Sequence, residues 1–248
     1  FRFTSDDLDY LRSLTGNDDQ RLFGDDFLGY LVDLKLTCDL DAVTEGTVVF
    51  PREPLLRIQG PLLQGQLVET ALLTIMNFQT LVATKSARVC QAAQGDRVME
   101  FGLRRAQGMD GGISASRAAY VGGCHSTSNL MAGKMYGIPV SGTHSHSWVL
   151  AFEQEQQAFD AYAETMPNNC VLLVDTYDTL EGIKRAITVA RKMQQAGRRL
   201  MGIRLDSGDL ASLSCQARTL LDEAGFSDVA VIASNDLHEY AITRLKEE

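Results

Sequence analysis

The sequence predicts an α/β protein in which a smaller α+β domain precedes an incomplete (β/α) barrel. After about residue 97, short continuous apolar runs alternate with amphipathic helical segments, which is typical of buried parallel strands joined by helices. Before that point, helical stretches and alternating β-like stretches follow one another without this rhythm. A polar cluster follows each of five later apolar runs, at the strand ends where α/β folds carry their chemistry. We therefore place the domains at 1–96 and 97–248.

In the first domain, residues 4–34 carry leucines and phenylalanines at helical spacing. Residues 35–59 are β-like, with an apolar stretch at 47–50 that follows a Thr-Glu-Gly turn. Residues 66–93 contain no Gly or Pro and predict one long, tightly packed helix.

The second domain is predicted from five strands, each followed by a polar loop and, in most cases, a helix. The strands are expected at 98–101, 138–140, 170–174, 201–205 and 229–232, and helices at 148–164, at 179–195, up to 224 and at the end of the chain. At roughly 31 residues per βα unit, residues 98–248 hold about five units rather than eight.

Composition limits the classes of function. The net charge of −9 argues against a general nucleic-acid binder but allows an anionic small substrate held by a few arginines. We see no apolar stretch approaching 18 residues, and we expect no membrane span. The five scattered cysteines contain no Cys-x-x-Cys pair, so we expect reduced, mostly buried thiols in a cytoplasmic protein.

His144 and His146 are the most informative pair, because they lie two residues apart in a polar loop after a predicted strand. In an extended segment they would face the same side, as a metal pair does, yet no third ligand has suitable spacing. Either could instead be a satisfied structural histidine. The remaining interpretation is nucleophilic or acid–base work by one of them, with Asp175 fixing its tautomer.

Three arginines lie at the predicted strand ends. Arg104 and Arg105 are adjacent, so only one of them can face a cleft. Arg204 lies within a buried strand, where it is either paired with a carboxylate or free to clamp an anionic ligand. The turn that begins at Ser207 could receive an anion on its backbone N–H groups.

Acidic residues after the strands have a simpler explanation. Asp178, Asp209 and Asp236 are each expected to cap the following helix.

Several segments together resemble nicotinate phosphoribosyltransferase. They are EFGLRRAQG at 100–108, GTHSHS at 142–147, VDTYDT at 174–179, IRLDSGDL at 203–210 and ASNDL at 233–237, with EPL at 53–55 and GPL at 60–62 in the first domain. The resemblance implies a barrel of the type II phosphoribosyltransferase kind. It also implies that nicotinate and 5-phosphoribosyl 1-pyrophosphate are joined to give nicotinate mononucleotide and pyrophosphate, with ATP hydrolysed through a phosphohistidine in NAD salvage.

The resemblance also implies residue roles. The phosphohistidine falls on His146, with Asp175 orienting it, and Thr143 and Arg204 match nicotinate-binding positions. Further substrate-lining positions are Asp206, Ser207, Arg104 and Arg105.

Partners are implied in the same way. ATP is expected as co-substrate, Mg²⁺ with the pyrophosphate substrate, and a homodimer as the assembly; no resident metal site, nucleic acid or membrane is expected. The alternatives are a nicotinamide phosphoribosyltransferase and a non-catalytic, truncated barrel that binds a ligand or a partner. Family members carry an active-site Tyr segment before the position of Phe1 and a Gly-rich phosphate loop beyond that of Glu248. We therefore expect the 248-residue chain alone to have poor activity or none.

Overall fold

The structure is a computed structural model that describes residues 2–248. One compact unit ends at Phe78 and a second begins at Gln79. The division falls inside a long helix and not at residue 96, where the change in sequence pattern was noted. The assignment of domains to 1–96 and 97–248 stays a prediction.

The first unit contains two short helices and a hairpin. Its elements are α1 (Ser5–Ser13), α2 (Asp25–Val32), β1 (Asp39–Ala42), β2 (Leu56–Gln59) and the start of α3 (Leu62–Ala92). A reciprocal capping box between Thr4 and Asp7 begins α1. Strands β1 and β2 pair antiparallel. Residues 47–50 form no strand, contrary to the prediction, because β1 and β2 pair only with each other and leave that stretch exposed.

Helix α3 confirms the predicted long helix, with bounds at Leu62–Ala92, but the expected tight packing is wrong, because only Gln64 and Val68 of this helix are buried. It contains an 18-residue window of mean hydropathy 1.3 with at most two charged residues, so it is long and apolar enough to cross a membrane by length and composition. The expectation that no segment reaches that threshold is therefore wrong. Length and composition alone do not assign a membrane span to this helix.

The second unit contains parallel strands separated by helices. Its strands are β3 (Met99–Glu100), β4 (Ser126–Thr127), β5 (Val171–Leu173), β6 (Gly202–Leu205) and β7 (Ala230–Ala233). Its helices are α4 (Gly108–Val121), α5 (Leu130–Tyr136), α6 (His146–Leu150), α7 (Glu155–Thr165), α8 (Thr179–Gln195), α9 (Leu210–Glu223) and α10 (Glu239–Glu247). Strand β3 pairs with β4, and β6 lies between β5 and β7, all in parallel. The α/β class is confirmed.

Some predicted elements differ from the structure. Residues 138–140 contribute one isolated bridge, between Val140 and Thr127, instead of a full strand. The helix predicted at 148–164 is divided into α6 and α7. Asp178 and Asp209 cap α8 and α9 as predicted, but His238 caps α10. The expectation for Asp236 is therefore wrong, because its carboxylate pairs with Arg105.

The main core of the second unit lies between its three-stranded sheet and helices α7, α8 and α9. It includes the fully buried Phe159, Leu172, Ile183 and Ile203. All five cysteines lie within the described residues and are free thiols, of which only Cys124 and Cys170 are buried, so the expectation that most are buried is wrong. Burial raises the pKa of each of these two thiols to about 12.

Candidate active site

The candidate site lies at the carboxyl ends of β5, β6 and β7, together with the loop at 141–145 that leads into α6. Strand β5 ends two residues before Asp175, and β6 ends one residue before Asp206. In parallel sheets, the loops at this end converge and are the usual position of functional groups. Most of the predicted site residues are brought together there.

His146 and Asp175 form the centre of the site. The Nε2 atom of His146 lies 3.2 Å from Oδ1 of Asp175. The Asp175 side chain is fully buried, whereas the His146 ring is 36% exposed. The second oxygen of Asp175, Oδ2, accepts hydrogen bonds from the backbone N–H of Asp206 at 2.9 Å and from the hydroxyl of Ser207 at 2.5 Å. Asp175 is therefore held in place by two donors that directly follow β6, and its other oxygen faces the imidazole of His146, which is partly exposed to solvent.

Arg204 is buried at the end of β6 and is paired. Its Nη1 donates to Oδ1 of Asp206 at 3.0 Å, and its Nη2 donates to the backbone carbonyl of His144 at 3.1 Å. Burial lowers the pKa of Arg204, opposed by Asp206 and Asp175 and reinforced by the nearby charge of Arg104. The Nε atom is buried and has no hydrogen-bond partner among residues 2–248. The sequence leaves two alternatives for Arg204, a structural ion pair and a clamp for an anionic ligand. The structure shows the ion pair with Asp206, and the Nε–H remains without a partner within the described chain.

Thr143 and Asp206 complete the inner part of the site. The hydroxyl of Thr143 donates to the carbonyl oxygen of His144 at 3.2 Å, beside the Nη2 of Arg204. Oδ2 of Asp206 lies 4.0 Å from Nδ1 of His146, on the opposite edge of the ring from Asp175. The His146 ring thus lies between two carboxylates.

The two adjacent arginines take different directions. The Nη1 atom of Arg105 pairs with Oδ1 of Asp236 at 2.5 Å, and both side chains are exposed. Arg104 contributes to the electrostatic environment of Arg204, so it is the arginine nearer the site. Of the two predicted substrate-lining arginines, Arg105 lies in a surface ion pair, and Arg104 affects Arg204 through its charge.

His144 lies behind the site and not in it. Its Nε2 atom accepts a hydrogen bond from the backbone N–H of Leu173 at 3.1 Å. Its Nδ1 atom lies 3.3 Å from the carbonyl oxygen of Ser145. Both ring nitrogens therefore contact the backbone, and the two imidazoles do not form a shared metal pair. Across residues 2–248, no three His, Cys, Asp or Glu side chains converge as a metal site.

Ser234 is a site residue that the sequence interpretation did not single out. Its hydroxyl lies 3.1 Å from Nη1 of Arg204 and 2.6 Å from Oδ1 of Asp206. It follows β7 directly, so its position at a strand end is the signal that could have identified it. The next residue, Asn235, has a φ of 112°, which places a non-glycine residue in a strained conformation beside the site.

Comparison with known proteins finds nicotinate phosphoribosyltransferases both by sequence and by structure. A family model described as the nicotinate phosphoribosyltransferase N-terminal domain matches residues 1–77. A Bacillus subtilis nicotinate phosphoribosyltransferase is 51% identical over 99% of this chain and 49% of its own length, and a Dictyostelium discoideum relative of the same name is 40% identical over 100% and 49%. The chain thus spans about half the length of the curated relatives that it matches.

A solved structure agrees with these sequence matches. The crystal structure of human nicotinic acid phosphoribosyltransferase matches with a TM-score of 0.90 and 32% identity, over 100% of this chain and 60% of that one. This structural match and the sequence identities cover both units, and over nearly its whole length the chain is similar to nicotinate phosphoribosyltransferases in sequence and in fold.

Proposed function

We propose that this chain carries the phosphohistidine site of a nicotinate phosphoribosyltransferase in NAD salvage. The reaction joins nicotinate to 5-phosphoribosyl 1-pyrophosphate and releases nicotinate mononucleotide and pyrophosphate, with ATP as co-substrate. The observation that carries the proposal is the contact between His146 and the buried Asp175. We also propose that the second unit is part of an incomplete barrel of the type II phosphoribosyltransferase kind, and that the protein is cytoplasmic.

The geometry favours Nδ1 of His146 as the nucleophile. The Nε2 atom faces Asp175, so its proton can be held there while Nδ1 keeps a free lone pair. In the proposed step, a bond forms between Nδ1 and the γ-phosphorus of ATP as the bond from that phosphorus to its bridging oxygen breaks, and ADP leaves. Asp175 would then stabilise the charge that develops on the ring.

Arg204 and Thr143 are proposed to bind nicotinate. The Nε–H of Arg204 has no partner among the described residues and lies next to the second hydrogen of Nη2. Together these two donors form an edge of the guanidinium group that can bind both oxygens of a carboxylate. Arg104 adds positive charge nearby, whereas Arg105 lies in its surface pair. Asp206 and Ser207 support Arg204 and Asp175, and we propose that they line the cleft.

Mg²⁺ and the homodimer remain proposals. The described residues offer no preformed metal cage. We therefore propose that Mg²⁺ arrives with the pyrophosphate substrate, which supplies its own oxygen ligands. No step above depends on a metal held by this chain, and none depends on a second copy.

The test is phosphoryl transfer from ATP to the purified chain. Incubation with γ-³²P-labelled ATP is expected to leave acid-labile, alkali-stable label on His146, and His146→Ala should abolish it. The variant His125→Gln is a matched control, because His125 lies outside the cluster and its loss should leave the label unchanged. The Bacillus subtilis relative serves as the positive control.

A second assay identifies the base. Binding of labelled nicotinate to the chain is measured in competition with unlabelled nicotinamide, because turnover by the chain alone is expected to be poor or absent. Preference for nicotinamide would contradict the proposed substrate in favour of the nicotinamide alternative. Failure of the chain to become labelled, under conditions that label the relative, would contradict the phosphohistidine proposal for this chain.

A further inference from the structure

The free edge of β5 has a buried backbone donor. In the sheet, β5 pairs with β6 on one side, and its other edge faces no strand in the described part of the chain. The N–H of Leu173 points toward this free edge, and Leu173 is fully buried. A buried donor without a partner is costly, so its acceptor is structurally important. That acceptor is Nε2 of His144, at 3.1 Å.

Two residues after His144, the chain makes a second contact with the end of β5, and the two contacts join residues that are equally far apart in sequence. His144 contacts Leu173, and two residues later His146 contacts Asp175, two residues beyond Leu173. Both pairs are separated by 29 residues. The loop therefore runs beside the end of β5 in one register, and this register is set by two imidazoles where a sheet would use backbone hydrogen bonds.

The surroundings of His144 fix its ring and its tautomer. Because Nε2 accepts from an N–H, the ring proton must be on Nδ1, which lies 3.3 Å from the carbonyl oxygen of Ser145. The ring also makes an edge contact with Tyr162, at 4.7 Å between centroids. Burial lowers the pKa of His144 to about 4, so the neutral ring that this hydrogen bond needs is the form present near neutral pH.

The carbonyl group of His144 is held as well. It accepts from Nη2 of Arg204 at 3.1 Å and from the hydroxyl of Thr143 at 3.2 Å. Both the backbone and the side chain of this residue are thus anchored, whereas the ring of His146 is anchored at Nε2 and, among the described residues, has only the Asp206 carboxylate near Nδ1, at 4.0 Å.

We propose that His144 is a positioning residue, which uses Nε2 as an acceptor for the Leu173 N–H to set the register that presents His146 to Asp175. The catalytic part of this inference rests on the proposed function, because it assigns His144 a role in the phosphorylation of His146. The inference that His144 sets the position of the loop beside β5 does not depend on the proposed function.

The first experiment uses the unmodified chain. Long-range ¹H–¹⁵N NMR of the imidazoles should show His144 as the Nδ1–H tautomer, without titration between pH 5.5 and 8. An Nε2–H tautomer, or a titration in that range, would overturn the proposal whether or not the chain is an enzyme.

The second experiment compares two variants. In His144→Gln, the side-chain carbonyl can accept from the Leu173 N–H, whereas His144→Leu has similar bulk and no acceptor. We expect the Leu variant to shift the His146 imidazole resonances and to slow labelling of His146 by about 10- to 100-fold, as misplacement of a reacting group does. The Gln variant should keep the wild-type resonances and label within about threefold of the wild-type rate.

The outcomes separate the two proposals. Equal resonances and rates in the Leu variant and the wild type would overturn the role of His144. So would a Gln variant that is as impaired as the Leu variant. If no protein is labelled but the resonances of His146 move only in the Leu variant, the positioning role stands and the phosphohistidine proposal fails. If the His144→Leu variant does not fold, the tautomer of His144 in the unmodified chain and the resonances and labelling rate of the His144→Gln variant still test the role of His144.

Discussion

Helix α8 packs so closely against the end of β5 that Gly182 has no room for a side chain. A Cβ atom at this position would lie 2.0 Å from the carbonyl oxygen of Val174 and 2.9 Å from its carbonyl carbon. An ordinary carbon–oxygen contact is about 3.3 Å, so the helix or the strand end would have to move by roughly 1 Å. The obstacle is backbone, which cannot rotate away as a side chain can.

We expect Gly182→Ala to lower the free energy of unfolding by about 2 kcal/mol. Overpacking costs about 1–3 kcal/mol, and a contact this short belongs at or above the upper end. The better helix propensity of Ala returns about 1 kcal/mol. For a chain of this size, the net loss corresponds to a decrease of roughly 4–8 °C in Tm.

The assay is thermal unfolding monitored by circular dichroism and by the fluorescence of Trp148. Trp148 is the only tryptophan of the chain and packs against the core that α8 helps to form. Gly111→Ala is the matched control, since Gly111 lies inside α4 and its added Cβ would meet no described atom within 4 Å. That variant should gain about 0.5–1 kcal/mol.

Displacement of Val174 should also be felt in the site, because Asp175 is the next residue. We expect Gly182→Ala to weaken the 3.2 Å contact between His146 and Asp175 and to move the imidazole resonances of His146. A Gly182→Ala protein that unfolds at or above the wild-type temperature, with those resonances unmoved, would refute the packing argument.

Three further predictions concern buried titratable groups. The substitution Arg185→Met removes the partner of the buried Glu155 and should lower the free energy of unfolding by about 2 kcal/mol. This loss is below the usual 3–5 kcal/mol for a broken buried ion pair because Arg185 is 42% exposed. Burial already raises the pKa of Glu155, and without Arg185 its charged form is less stable still, so the loss of stability should grow with pH above about 4.5. Urea unfolding should therefore show a larger loss at pH 8 than at pH 5. A loss that does not depend on pH would contradict this prediction. The lowered pKa of His144, about 4, predicts that up to about 3 kcal/mol of stability is lost as pH falls from 6.5 to 4, and His144→Gln should lack this slope. Iodoacetamide at pH 7.5 should modify the exposed Cys215 much faster than the buried Cys170, as mass spectrometry of the native protein would show; equal rates would argue against the burial of Cys170.

The strands that the sequence predicts best are those with continuous apolar runs. Strands β5, β6 and β7 lie within one or two residues of their predicted bounds. Burial on both faces explains the continuous apolar runs of β5 and β6, whereas β7 is apolar although it is only partly buried. Helix α4 was not recognised, since glycines at 108, 111 and 112 hide its helical pattern. An added Cβ at Gly112 would lie 2.6 Å from Cδ1 of Leu103, so the Leu103 side chain would have to move to admit it.

The chemistry-bearing residues were found from their position after strands, but their pairings were not. No spacing rule shows that Arg105 turns to Asp236 while Arg104 stays near Arg204. The role of His144 was equally hidden, because its partner is a backbone N–H that every residue except proline carries. Sequence patterns identify side chains, whereas these contacts depend on the direction in which the folded loop runs.

The attachment of the 141–145 loop has a consequence for its motion. The ring of His144 joins the loop to the end of β5, and the carbonyl group of His144 joins it to Arg204; His146, the first residue of α6, makes the next contact with Asp175. The ladder of β5, β6 and β7 does not depend on these contacts, so the loop can detach while the sheet stays intact. Segments held by few hydrogen bonds open at free energies well below that of global unfolding. We therefore expect the loop that precedes His146 to open locally more readily than the strands do, which would give His146 a freedom that a histidine within one of the strands would not have.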